Sequence, residues 1–410
     1  MTVNELTQPA SESELDEFGT PRGALAGIRV LDLSRMMSGP LCGRMLADLG
    51  AEVIKVEPPE GDATRGVPPL VGGFSPYYAQ LNAGKRTVCL DLKAPGGPDI
   101  ISRLAAASDV LVENFRPGVL ARYGLDACTL RTDNPRLVYC SVSGWGQDGP
   151  WASRQAYAPV VHAEVGILER SGRLRDRRPE PELHQHGDAY PALLACSAVL
   201  AALFERTTTG KGRHLDVAMG EGMFYVNEWS AVDLQDDREE RGIFDTSTHR
   251  VFELGDGTCV ALIGDPARVF PFWLRSLGGD EALLEDIRFA TEEARRRNFE
   301  QVIDELNALT VRFPDYDGLA AVFAPPMLVA KVRSVKDLAE TDWARHRGLT
   351  TEVAPGLSVP SAPWRVAGSR VGVAGPVSAL GEHNREVLAD VAGFTAAEID
   401  HFTATGVLRS

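Results

Sequence analysis

Positive charge is scarce in this chain of 410 residues. Lys and Arg number 42 against 57 Asp and Glu, and the formal net charge is −15. Nucleic acid is therefore not an expected partner, because phosphate backbones require a positive surface. The one dense basic run, "EEARRRN" at 292–298, is flanked by its own acids and reads as a solvated helix face. Apolar runs are short of the roughly 20 residues that a membrane-spanning helix needs, so no membrane association is expected. The N-terminus, "MTVNELTQPASESELDEFGTPR", is polar and acidic, unlike a signal or transit peptide, and reads as a flexible tail. Six cysteines (Cys42, Cys89, Cys128, Cys140, Cys196 and Cys259) include no Cys-x-x-Cys pair and sit mostly in apolar runs. Buried reduced thiols and a cytoplasmic location are the expectation.

Three nucleotide or nucleophile signatures are missing as well. The first βα turn reads Ser34-Arg35-Met36-Met37-Ser38-Gly39-Pro40, with bulky residues where close approach to a pyrophosphate requires glycines. NAD is not the expected ligand on that ground, although Glu57 follows the second strand as a ribose-binding acid would and a turn with Arg35 at a helix N-terminus can hold an anion. Gly-x-Ser-x-Gly is absent, and "TTTGKGR" lacks the upstream glycine of a phosphate loop. His184 and His186 offer two ligands without a third, so no metal site is expected.

What is present is alternation. "GIRVLDLSRMMSGPLCGRMLADLGAEVIKVEPPEGD" reads as strand (28–33), loop, helix and strand (51–56). Further strands are predicted at 87–92, 109–113 and 137–142, with a helix at 95–107. This pattern implies a parallel sheet covered on both faces. After Met219 the character changes: a charged linker at 233–242, a hairpin closing on Gly255-Asp256-Gly257, helices over about 281–325, a Pro/Val/Gly-rich stretch at 353–380, and helix again over 382–409. Basic and amide groups gather at strand ends (Lys55, Arg65, Lys85, Arg86, Lys93, Asn114, Arg116, Arg122), where open α/β sheets bind ligands. In "HGDAYPALLACSAVLAALFERTTTGKG" (186–212), Asp188 precedes an apolar helix with Pro191 in its first turn, and locally it reads as an N-cap.

Ordered blocks through the chain resemble the family III CoA-transferases, whose relatives include α-methylacyl-CoA racemases. They are "LAGIRVLDLSRMMSGPLCGRMLADLGAEVIKVEPPEGDATRG", "NAGKRTVCLDLKAPGG", "DVLVENFRPGVLARYGL", "NPRLVYCSVSGWGQDGP", "GDAYPALLACSAVLAALFERTTTGKGRHLDVAM" and "LGEHNREVL". The resemblance implies an α/β fold in which both chain ends form a large Rossmann-like domain beside a smaller central α+β domain, in an interlocked homodimer. The division it suggests is a tail at 1–22, the large CoA-binding domain at 23–225, a linker at 226–245, the small domain at 246–335, a return linker at 336–380, and closing helices at 381–410. It implies Asp188 as nucleophile and CoA contacts at Arg35, Met37, Ser38, Leu90 to Lys93, Asn114, Phe115, Arg122 and Tyr157. No tightly bound cofactor is implied: acyl-CoA and a carboxylic acid are substrates. In the chemistry of such enzymes a carboxylate forms an acyl anhydride and then a CoA thioester, with helix N-terminal N–H groups as oxyanion donors. Racemases of the family carry a histidine–acid pair where this chain has Tyr157-Ala158, so the second base needed on the opposite face of an enolate is missing. His162, five residues on, is expected on another helix face and outside the chemistry. Transferases of the family commonly carry an acid where Ala158 stands, and a glycine-rich covering loop is not visible in 235–257. A non-catalytic CoA-binding protein is the third reading.

Overall fold

The computed structural model describes residues 23–175, 177–235, 249–322 and 328–409. The tail expected at 1–22 and most of the linker and loop expected around 235–248 lie outside the described residues. Contacts divide the chain into two units. One comprises the described parts of 1–171, 179–231 and 344–410, and the other those of 172–178 and 232–343.

The first unit is built on a six-stranded sheet. In chain order its elements are β1 (Arg29–Asp32), α1 (Ser38–Asp48), β2 (Glu52–Glu57), α2 (Pro76–Asn82), β3 (Arg86–Cys89), α3 (Gly97–Ala106), β4 (Val110–Glu113), α4 (Ala127–Asp133), β5 (Val138–Ser143), α5 (Ala158–Glu164), α6 (Ile167–Leu174, which runs on into the other unit), α7 (His186–Thr209), β6 (His214–Ala218) and α8 (Met219–Val226). The strand order is β3-β2-β1-β4-β5-β6, with every neighbouring pair parallel. Alternate residues of each strand enter different cores, as a period of two requires. Leu31, Ile54, Leu111 and Tyr139 join one cluster with Ile100, Leu104, Val387 and Ile399, whereas Val30, Val53, Val110, Val112 and Val138 join another with Leu46, Val161, Val199 and Met223. Both faces of the sheet are thus covered, which explains why its inner strands are rich in apolar residues on both faces.

The five strands predicted from sequence all form, within two or three residues of the expected bounds. The sixth, β6, was not foreseen. At this sheet edge His214, Leu215, Asp216 and Val217 are only partly buried or exposed, and the apolar signal is diluted accordingly. The stretch read as one helix over 382–409 is two, Asn384–Asp390 and Ala396–Ala404, separated by a turn through Gly393 at φ +69° and restarted by a capping box at Thr395 and Glu398. The estimate that apolar runs are short is also corrected: α7 is 24 residues long and apolar enough to cross a membrane by length and composition. Here it packs against α1, α8, β5 and β6.

The second unit holds an antiparallel sheet of Arg250–Glu253, Cys259–Ile263 and Leu328–Lys331. Its first two strands make the expected hairpin, with Gly257 at φ +81° in the turn. Phe252, Phe270, Trp273, Phe289 and Leu306 form its core. The basic run at 292–298 is satisfied by acids: Arg296 pairs with Glu292 and Asp265, and Arg297 with Glu293.

Candidate active site

β1 and β4 are adjacent, but the chain leaves them toward opposite edges of the sheet, so a crevice opens beyond their carboxyl ends. Two cavities occupy that region. The first, of about 230 Å³, is lined by Arg35, Ser38, Asn114, Phe115, Arg116, Arg154, Gln155, Tyr157 and Asp188, among others. The second, of about 440 Å³, is lined by Arg35, Glu57, Leu90, Lys93, Phe115, Tyr123 and Arg409, among others. Arg35 and Phe115 line both, and the Arg35 guanidinium lies 5.3 Å from the centre of the Phe115 ring.

The turn that presents Arg35 is tied down from two sides. The Asn114 side chain accepts a hydrogen bond from Arg35 N–H and donates one to Arg35 C=O, both at 2.8 Å, and donates a third to Ser38 Oγ at 3.2 Å. Underneath, the fully buried Lys55 donates to Ser34 C=O (2.9 Å) and pairs with Asp62 (3.3 Å). Asp62 accepts the Met36 N–H at 3.2 Å. Met36 has φ +64°, the left-handed region that costs a non-glycine residue about 1 kcal/mol or more, so these bonds hold a turn the chain would not otherwise adopt. Lys85, also fully buried, donates to Asp32, Pro40 C=O and Asn82. Burial pushes Lys85 down to about 8 against the pull of Asp32, while Lys85 and Lys55 together outweigh burial at Asp32 and keep its carboxyl below the usual range.

These pairings correct part of the sequence reading. Lys55, Lys85, Arg65 and Arg86 are not cations available to a ligand. Arg65 is bidentate to Glu57, and Arg86 pairs with Glu52 and Glu386. Glu57 lines the second cavity with its charge already taken by Arg65. Arg35, Ser38, Leu90, Lys93, Asn114, Phe115 and Tyr157 do line the cavities. Met37 and Arg122 line neither. Met37 precedes α1, and its thioether receives the Tyr77 hydroxyl at 3.5 Å. Arg122 is exposed on a short 3-10 turn (Leu120–Tyr123) whose neighbours Val119 and Tyr123 face the second cavity.

Asp188 is not the cap of its own helix. α7 begins two residues earlier, at His186, and Asp188 is its third residue, in the first turn near the positive end of the helix dipole. Burial lifts its carboxyl to about 6, and the backbone N–H of Ala158, at the start of α5, opposes that rise. Three N–H groups at the start of α7 are already engaged: Gly187 donates to His162, and both Asp188 and Ala189 donate to Gln185 C=O. The expected oxyanion donors are therefore not these; Arg35, Gln155 and Tyr157 line the same cavity and carry donors. Two residues outside the expected site complete the surroundings: Tyr77, not named from sequence, and His162, expected outside the chemistry. Tyr77 is close enough that burial and the Asp188 charge raise its phenol above the usual value, and His162 is buried against the start of α7. Among the described residues, no group of three or more His, Cys, Asp or Glu residues forms a metal cluster.

A family model described as CoA-transferase family III matches residues 25–384. The chain is 32% identical to a succinate–glutarate CoA-transferase of Agrobacterium fabrum, over 90% of this chain and 95% of that one. It is 30% identical to a formyl-CoA:oxalate CoA-transferase of Streptomyces avermitilis, over 94% and 99% of the two. Among solved structures, a CAIB/BAIF family protein from Brucella suis is 30% identical and superposes with a TM-score of 0.80, covering 90% of this chain and all of that one.

Proposed function

The chain belongs to CoA-transferase family III, and from that premise we propose that Asp188 carries the transfer covalently. The supporting observation is that Asp188 is the only carboxylate among the described residues lining the first cavity, which also holds Arg35, Arg116 and Arg154. With its carboxyl at about 6, Asp188 is mostly ionised at neutral pH, and the desolvation that raised it also makes it a stronger nucleophile than a solvated aspartate.

In the proposed sequence an Asp188 oxygen attacks the thioester carbonyl. The C–S bond breaks, leaving an acyl-aspartyl anhydride and CoA thiolate. The thiolate attacks the aspartyl carbonyl, which releases the first acid as its carboxylate and forms an aspartyl-CoA thioester. The acceptor carboxylate then attacks that thioester and expels the thiolate, and the thiolate takes the new acyl group, restoring Asp188. No atom is lost and no oxidant is used. CoA spans both cavities, its anionic portion beside Arg35 and Lys93 and its thioester near Asp188. Arg122, exposed beyond the lining, meets the outer part of CoA. The acceptor is a carboxylic acid. The names of the two relatives make succinate, glutarate and oxalate the first acids to test.

The racemase reading has less support, because the described lining of the first cavity contains no histidine to act as second base on the opposite face of an enolate. We also propose a homodimer of two-domain subunits. Leu193 and Phe204 on α7 and Phe224 and Tyr225 on α8 are exposed apolar side chains that a second copy would cover. The test of the central proposal is the mass of the protein after incubation with an acyl-CoA. Wild type should gain the acyl or CoA adduct, and Asp188→Ala should gain neither while remaining folded.

A further inference from the structure

α5 and the first turn of α7 meet in a reciprocal arrangement. His162, on α5, accepts the Gly187 N–H at its Nε2 (2.8 Å), and the Ala158 N–H, at the start of the same helix, faces the carboxylate of Asp188. The two helices are too close for a side chain between them. A Cβ on Gly187 would lie 2.8 Å from Ala158 Cα and 3.0 Å from its carbonyl oxygen. His162 is 1% exposed. An Nε2 that accepts leaves the ring proton on Nδ1, and that N–H has no hydrogen-bond partner among the described residues. Stranding a buried donor is costly to the fold. A hydrocarbon side chain would fill the same space without this cost, but it would offer no acceptor to Gly187.

Resting on the reading of Asp188 as nucleophile, we propose that His162 is its positioning residue: through the Gly187 N–H it locks the start of α7 against α5 and so fixes the Asp188 carboxylate in the cavity. The bond exists only while Nε2 is unprotonated. Burial holds the ring below its ordinary pKa and the neighbouring His186 adds to this, while Glu182 pulls the other way. The His186 ring lies 6.4 Å from that of His162 and is itself stacked on Tyr190 at 5.2 Å. His162 touches no reacting atom. Its contribution is geometric, and misplacing a nucleophile by about 1 Å costs up to about a hundredfold in rate.

The test is steady-state transfer with three variants, each checked for folding by circular dichroism. His162→Leu removes the acceptor and is expected to lower kcat by about 10- to 100-fold while KM for acyl-CoA moves less than about threefold. His162→Gln restores an acceptor at similar reach and is expected to recover kcat to within about threefold of wild type. Gly187→Ala should lower kcat with His162 intact, because its Cβ must push the two helices apart; it decides the matter if His162→Leu fails to fold. A folded His162→Leu with wild-type kcat, a Gln variant no better than Leu, or an unimpaired Gly187→Ala each overturns the proposal. Asp188→Ala run in parallel separates the two ideas: full activity there removes the nucleophile assignment itself, whereas an inactive Asp188→Ala beside a fully active His162→Leu removes only the role of His162.

Discussion

The ionisation of Asp188 sets a measurable acid limb. Its carboxyl is at about 6 because burial outweighs the Ala158 N–H, so only the anionic fraction can attack a thioester. For a group titrating at about 6, that fraction is about nine-tenths at pH 7, half at pH 6 and one-tenth at pH 5. An aspartate at its ordinary value near 4 would still be about nine-tenths ionised at pH 5. The quantity to follow is kcat/KM for the acyl-CoA donor, which reports the free enzyme, measured between pH 5 and 8 by mass spectrometry of the CoA esters. It should fall about tenfold for each unit below 6 and level off above 7. The 3′-phosphate of CoA titrates near 6 as well, so the profile is repeated with a 3′-dephospho donor, which should keep the limb. The limb should persist in His162→Gln, because that variant keeps the titrating carboxylate. Asp188→Ala should lose about three orders of magnitude or more at every pH, since the covalent route is gone. A profile flat down to pH 5 in an enzyme that still depends on Asp188 would refute the claim that desolvation governs the nucleophile.

Removing charge at Arg35 or Lys93 should weaken CoA binding and flatten its salt dependence, and Arg122→Ala should do less because Arg122 lines neither cavity; equal effects measured by calorimetry at low and high salt would contradict this. A 2-methylacyl-CoA in heavy water should acquire no deuterium at its α-carbon, since the described cavity lining supplies no second base; rapid Asp188-dependent wash-in without an acceptor would favour the racemase. Glu113 is buried and accepts the Phe115 N–H, and burial raises it to about 7. Its folded value exceeds its unfolded value, so stability falls as pH rises from about 4.5 to 7 and is level above. Glu113→Gln should therefore gain up to about 3 kcal/mol at pH 8 and little at pH 4, as read by denaturant unfolding.

The fold was legible where burial is symmetrical. β1 to β5 are buried along most of their length and read as strands rich in apolar residues; β6 was lost because its exposed edge positions carry His214 and Asp216. The site was less legible because its determinants are pairings across the chain. Lys55 and Lys85 look like strand-end cations in sequence, yet the partner of Lys85 is Asp32, 53 residues away. Asn114 stood out correctly, but its task of clamping Arg35 depends on a backbone 79 residues distant. Asp188 read locally as a cap because aspartate before an apolar helix usually is one. The N–H that faces it belongs to Ala158, thirty positions upstream, and only the family resemblance pointed to the nucleophile. His162 was set aside on helical spacing, a measure blind to the Gly187 N–H of another helix.

The arginines of the first cavity supply the last argument. Arg35, Arg116 and Arg154 line it with Asp188, yet only burial and the Ala158 N–H move the Asp188 carboxyl, so none of the three neutralises it. Arg35 and Arg116 keep their charge for substrates, Arg154 shares its charge with Glu164 while still lining the cavity, and in a chain with net charge −15 that is where positive charge is needed. Arg154 is the best fixed of them: it stacks on Trp151 at 4.2 Å and on Trp145 at 5.4 Å, and it is paired with Glu164. Arg154→Leu should therefore raise KM for an anionic substrate about tenfold, the scale of one partly exposed charged contact, while the acid limb of the donor reaction stays near 6. A limb that moved by a full unit would mean that Arg154 acts on Asp188 itself, and the separation between a desolvated nucleophile and a cationic rim would have to be given up.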